Sequence, residues 1–151
     1  MAEAGDHIRF HEMFHIEGGS FTNAGLISSQ VKKILKGAGF SSKLIRRTSI
    51  ATFEAEMNVI CYANQGNLSL FVTPHFLKVV VEDEGIGIPD VNLAMKEGYS
   101  TANEKIRELG FGAGMGLSNI RKNADEMILT SEFGQGTHLE FVIYLDHQNK
   151  E

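Results

Sequence analysis

Residues 79–90 read VVVEDEGIGIPD. The valines at 79, 80 and 81 are β-branched and form a short apolar run closed by turn residues, the pattern of a buried strand. Glu82, Asp83 and Glu84 follow at the mouth of that strand, and then come Gly85 and Gly87, one residue apart, ahead of Pro89. An ordinary strand end needs neither a carboxylate nor so permissive a backbone directly after it. An ionised Asp can only accept hydrogen bonds. At the floor of a pocket it therefore favours the exocyclic amino group of adenine and repels the carbonyl that guanine carries there. Gly85 and Gly87 would let a flat ring lie close to the main chain, although the segment taken alone is equally compatible with a plain turn.

Working outward, a second strand, NLSLFVT at 67–73, precedes this one (FLKVVVED, 76–83) across a short connection containing Pro74. Upstream of the pair lie two helical patterns. AGLISSQVKKILKGAGF carries a stripe of Leu26, Ile27, Val31, Ile34 and Leu35 that stops at Gly37 and Gly39. SKLIRRTSIATFEAEMNVICYA starts after the capping candidates Ser41 and Ser42 and runs to about Ala63. At the amino end, HIRFHEMFHIE alternates Ile8, Phe10, Glu12, Phe14 and Ile16 against His7, Arg9, His11, Met13 and His15, the signature of a half-buried strand. Neighbouring histidines of that set stand about 13 Å apart on a strand, too far to converge on one ion, so a solvated face is expected. Downstream, the spacing predicts a brief helix in DVNLAMKEG (90–98), a polar glycine-rich segment, a third long helix in LSNIRKNADEM (117–127), and strands ILTSEF and THLEFVIYL around a GQG turn. The order β-α-α-β-β-α-β-β predicts an α+β fold: a two-layer α/β sandwich with helices on one face of a mixed sheet.

The chain of 151 residues is the length of one domain, able to bury roughly two thirds of its unfolded surface without a metal or disulfide. Its lone cysteine, Cys61, sits among apolar neighbours and reads as a buried small hydrophobe. The formal charge of −5 and the scattered lysines and arginines argue against a protein that grips nucleic acid through its phosphates. No signal-peptide-like or membrane-length apolar run is present, so a cytoplasmic protein without membrane contact is expected.

Two further places could carry chemistry. In GFGAGMGLSN, Gly110, Gly112, Gly114 and Gly116 alternate with other residues directly before a helix, where free N–H groups and the positive helix end can hold an anion. Neither the Walker lysine nor the dinucleotide-binding G-x-G-x-x-G register is present, and a flexible hinge is the plain alternative. In FEAEMNVICYA, 100° steps place Ile50, Phe53, Met57, Ile60 and Cys61 on one apolar arc with Glu54 and Asn58 at its edge, one turn apart. A carboxylate beside an amide oxygen suits a general base next to a hard cation such as magnesium; a solvated helix edge is the alternative.

Together and in this order, EAEMN, DEGIG, GFGAGMGL and GQGTHLEF resemble the four boxes of the Bergerat-fold ATP-binding superfamily, which unites gyrase, the ninety-kilodalton heat-shock chaperone, sensor histidine kinases and MutL. The resemblance spans about Ile50 to Leu145 of what it implies is a single kinase domain, 1–151. It implies ATP and Mg2+ as cofactors, Glu54 as catalytic base, Asn58 as magnesium and nucleotide ligand, and Asp83 as adenine reader with Thr137 helping through a water. It further implies nucleotide contacts from Gly85, Gly87, Ile88, Gly112, Ala113, Gly114, Met115, Gly116 and Leu117, and a lid over about 98–114. Among relatives of this size the chain resembles both the bacterial anti-sigma-factor serine kinases, in the length of ANEKIRELGF, and the switch kinases of the stress-signalling complex, in VEDEGIGIPDVNLAMKEGYST. The implied reaction is transfer of the γ-phosphate of ATP to a serine of a small STAS-type anti-sigma-factor antagonist. A sigma factor as second partner and a homodimer are left open. The competing readings are a nucleotide-dependent sequestering module and a stand-alone histidine-kinase-like catalytic domain.

Overall fold

The structure, a computed structural model, describes residues 8–85, 116–132 and 134–145. The expected helix at 90–98, the lid at 98–114, and Gly87, Ile88, Gly112, Ala113, Gly114 and Met115 lie outside the described residues.

Strand β1 (Phe10–Glu17) turns its even-numbered residues inward, with Ile16 buried and Phe10 and Phe14 half-buried, as its alternation dictates. A 3-10 turn at Phe21–Asn23 leads into α1 (Leu26–Gly37), and Gly39, with φ of +82°, takes the left-handed conformation beyond the helix end. Helix α2 (Ser42–Tyr62) is capped as its sequence predicts: the Ser41 hydroxyl accepts the Leu44 N–H at 3.2 Å. Its last residue passes straight into β2 (Ala63–Val72), which therefore begins four residues before the expected 67. The turn after β2 is tied by Thr73, whose hydroxyl oxygen accepts the N–H groups of His75 and Phe76 at 3.1 and 3.0 Å, and β3 (Phe76–Gly85) follows.

Helix α3 (Gly116–Asn123) is two turns long rather than reaching Met127. The sheet takes over from it. Asp125 donates its N–H to the Val142 carbonyl at 2.8 Å, and its carboxylate accepts from Arg47 at 3.1 Å and from the Tyr144 N–H at 2.7 Å. Glu126 and Met127 then pair with Val142 and Phe141 in β4 (Glu126–Glu132). Strand β5 (Gly136–Tyr144) closes the sheet.

The five strands stand in the order β1-β2-β3-β5-β4. The two-layer α+β architecture is as expected, but every described pairing is antiparallel, so the sheet is not mixed. Hairpins join β2 to β3 and β4 to β5; the chain leaving α3 enters β4 at the sheet edge, and the return hairpin inserts β5 between β4 and β3, antiparallel to both. Period-2 alternation sends Val79 and Val81 into the core with Leu68, Leu70, Leu139 and Phe141, whereas Val80 lies on the outer face and is only half-buried.

The helical side of that core holds Val31 and Leu35 of α1, Ala51, Ala55 and Val59 of α2, and Ile120 of α3. Helix α2 lies between α1 and α3 and against the sheet, so its buried surface wraps around it. This corrects the single arc expected from periodicity: Met57 and Ile60 are buried, but Ile50, Phe53 and Cys61 are half-buried, and the deepest line is Leu44, Thr48, Ala51, Ala55 and Val59. On the outer face His11 stacks on Phe71 with ring centres 4.4 Å apart, and His15 engages Glu17 at 2.7 Å and Asn67 at 3.3 Å. Among the described residues no helix is long and apolar enough to cross a membrane.

Candidate functional site

Asp83 shares the parity of Val79 and Val81, so its carboxylate leaves the end of β3 on the face that carries the helices. In register it stands between Gly66 of β2 and Thr137 of β5. The Thr137 N–H donates to Asp83 Oδ1 at 3.1 Å, and the Thr137 and Ser131 hydroxyls lie 3.1 Å apart. Partial burial pushes the Asp83 carboxyl above its ordinary range, and the Thr137 N–H pulls it part of the way back. Asp83 and Thr137 are thus brought together as the sequence predicts, in a row of neighbouring strands.

Two glycines are required here by close backbone approach. A Cβ on Gly136, whose φ is +135°, would stand 2.1 Å from the Asp83 carbonyl oxygen, so the GQG turn must be bare to let β5 close on β3. A Cβ on Gly85 would stand 2.9 Å from the Tyr62 carbonyl oxygen and 3.0 Å from Ala63 Cα. Gly85 therefore seats the end of β3 against the α2–β2 junction, a packing reason additional to any ring above it.

Glu54 and Asn58 are both half-buried on α2, one turn apart. Burial raises the proton affinity of the Glu54 carboxyl, and a hydrogen bond from Asn119, at 3.4 Å, opposes the rise. Glu54 meets the start of α3, the end of the glycine segment, since a Cβ on Gly116 would lie 3.1 Å from Glu54 Oε2. Leu117, the next residue, is buried in the core, so its side chain serves packing. Cys61 is half-buried, and its thiol is pushed up to about 11 by burial and by the negative charge of Glu54.

Two residues at this site were not singled out from sequence. Asn119 is one. The other is Glu56, which turns away from Glu54 on the same helix and is 1% exposed. Its carboxylate accepts the N–H groups of Gly25 and Ile27, each at 3.2 Å, and of Ser28 at 3.0 Å. Helix α1 has no side-chain cap of its own and no acid in its first turn. Those absences are the signal from which a distant carboxylate cap could have been inferred.

The arrangement offers an acceptor-only carboxylate at a strand mouth, a second carboxylate of raised proton affinity, and an amide oxygen on the same helix as that second carboxylate. Asn58, half-buried one helical turn from Glu54, puts an amide, a neutral oxygen ligand type, beside a carboxylate, the kinds of group that a hard cation accepts. The family model described as histidine kinase-, DNA gyrase B-, and HSP90-like ATPase matches residues 45–149. The serine/threonine-protein kinase RsbT of Bacillus subtilis (strain 168) is 30% identical over 118 residues, covering 76% of this chain and 83% of its own length. The anti-sigma F factor of Caldanaerobacter subterraneus subsp. tengcongensis is 32% identical over 100 residues, covering 63% of this chain and 66% of its own length. That of Geobacillus stearothermophilus is 33% identical over 90 residues, covering 56% and 58%.

Proposed function

The chain belongs to the histidine kinase-, DNA gyrase B- and HSP90-like ATPases, and from that premise we propose that it is an ATP-dependent protein serine kinase of a partner-switching pathway. The observation that carries the reading is Asp83. Its carboxylate accepts the Thr137 N–H on the helix-facing side of the sheet, and an ionised carboxylate there could also accept an adenine amino group, which supports the reading.

Glu54 is the base in this scheme. The acceptor serine oxygen bonds to the γ-phosphorus as the bond to the bridging oxygen of ADP breaks, and the serine proton passes to the Glu54 carboxylate. A carboxylate whose proton affinity is raised by burial is the better acceptor for that proton. Asn58 would hold magnesium together with the nucleotide phosphates, where the ion supplies charge neutralisation. By the resemblance, Gly85, Gly87, Ile88, Gly112, Ala113, Gly114, Met115 and Gly116 would contact the nucleotide. The phosphoacceptor is a serine of a small STAS-type antagonist protein, and the added charge of about −1.5 to −2 would break its interface and exchange partners.

The test is incubation of the protein with γ-labelled MgATP and candidate antagonist domains. Acid-stable label on a serine is expected. Acid-labile label would mean a histidine acceptor, and tight nucleotide-dependent binding of a sigma factor or antagonist without label would mean a sequestering module.

A further inference from the structure

Both oxygens of the Glu54 carboxylate face helix α3, and α3 treats them differently. Asn119 Nδ2 donates to Oε1 at 3.4 Å. Oε2 faces Gly116, where even a Cβ would stand only 3.1 Å away. Among the described residues, therefore, Oε1 has a donor, and Gly116 lacks the side chain that would press on Oε2.

Asn is a poor residue for a helix interior because its amide competes for backbone groups. Its neighbours Ser118 and Ile120 are buried, so position 119 sits on a helix that is fixed by packing against α2. Asn119 itself is half-buried, and its carbonyl accepts the Asn123 Nδ2–H at 2.8 Å, which steadies the turn that carries it. A half-buried carboxylate without such a donor would be free to rotate about its last torsion, which is soft. With it, the plane of the carboxylate is set from α3, and Oε2 is turned towards Gly116.

We propose that Asn119 is a positioning residue for Glu54, turning the carboxylate so that Oε2, beside Gly116, receives the proton of the acceptor hydroxyl. The inference rests on the reading of Glu54 as the base. Asn119 touches neither substrate nor nucleotide in this role. It acts through Glu54, coupling the base to the helix that follows the glycine segment.

The experiment compares parent, Asn119→Ala, Asn119→Asp and Glu54→Gln, measuring ATP affinity by calorimetry and ADP formed from saturating MgATP in the presence of the candidate antagonist domains. Asn119→Asp keeps the shape of the side chain but replaces the donor with a second negative charge, which separates orientation of Glu54 from packing of α3. The expected result is ATP affinity within about twofold of the parent in all four proteins. Turnover should fall about 10- to 100-fold in Asn119→Ala, as for a misplaced catalytic group. Asn119→Asp should fall further still. Turnover in Asn119→Asp equal to or above that of Asn119→Ala would overturn the donor role, and so would turnover in Asn119→Ala within twofold of the parent. A loss of ATP affinity that tracks the loss of turnover would make Asn119 a ligand contact instead. Turnover that survives in Glu54→Gln, or a parent that forms no ADP, would remove the base reading itself and this inference with it.

Discussion

Asp83 is held in the fold at a cost. Its folded carboxyl has a raised proton affinity, so the native state binds a proton more readily than the unfolded chain does. The penalty is absent below the unfolded value, enters as pH rises through the window above it, and is fully present once the folded value is passed. Asp83→Asn can keep the bond from the Thr137 N–H while removing the charge. Without nucleotide it should unfold at a higher temperature than the parent at pH 7, with the gain shrinking towards pH 4; thermal melts at the two pH values measure this. An Asp83→Asn protein less stable than the parent at pH 7 would mean that the charge is stabilising. The catalytic and adenine-reading candidates were legible in the sequence because each belongs to a local pattern: Glu54 and Asn58 one helical turn apart, Asp83 at the end of a valine run. Glu56 and Asn119 were not, because each is defined by a partner distant in sequence, Gly25 to Ser28 for the one and Glu54 for the other.

At the scale of elements, α1 is anchored by a carboxylate from α2. Three N–H groups of its first turn lose their acceptor in Glu56→Ala, and a void opens where the side chain was. The substitution should destabilise the protein by about 3 kcal/mol, from unsatisfied buried donors and cavity together. Glu56→Gln, which keeps the volume and one acceptor oxygen, should cost less. Urea denaturation of both measures it, and equal, small losses would show that water replaces the carboxylate. The stop of α1 was readable from Gly37 and Gly39, and the cap of α2 from Ser41. The end of α3 was not: Ala124 to Met127 carry no helix-breaking residue, and the bonds of Asp125 to Val142, Arg47 and Tyr144 draw the chain into the sheet. The buried surface of α2 was misread for a related reason. Periodicity describes a helix with one partner, and α2 has a neighbour on each side as well as a sheet.

At the scale of the molecule, the antiparallel sheet gathers into one row residues that the sequence holds far apart: Gly66, Asp83, Thr137 and Ser131. The helical layer brings Glu54 and the start of α3 together on the same side. The family was legible because four motifs occur in series, and the layer architecture because the hydrophobic patterns give strands and helices in the order β-α-α-β-β-α-β-β. The direction of every strand was not, because pairing between β3 and β5 depends on how the α3 connection returns. The central claim is that the strand mouth at Asp83 is a nucleotide pocket. The measurement that tests it most directly is calorimetric titration of ATP with magnesium into the parent and Asp83→Asn proteins. One site per chain in the parent, with no measurable heat in Asp83→Asn at the same concentrations, is the predicted result. Equal ATP affinity in the two proteins would contradict the pocket, and with it the roles of the strand, the glycines and the base.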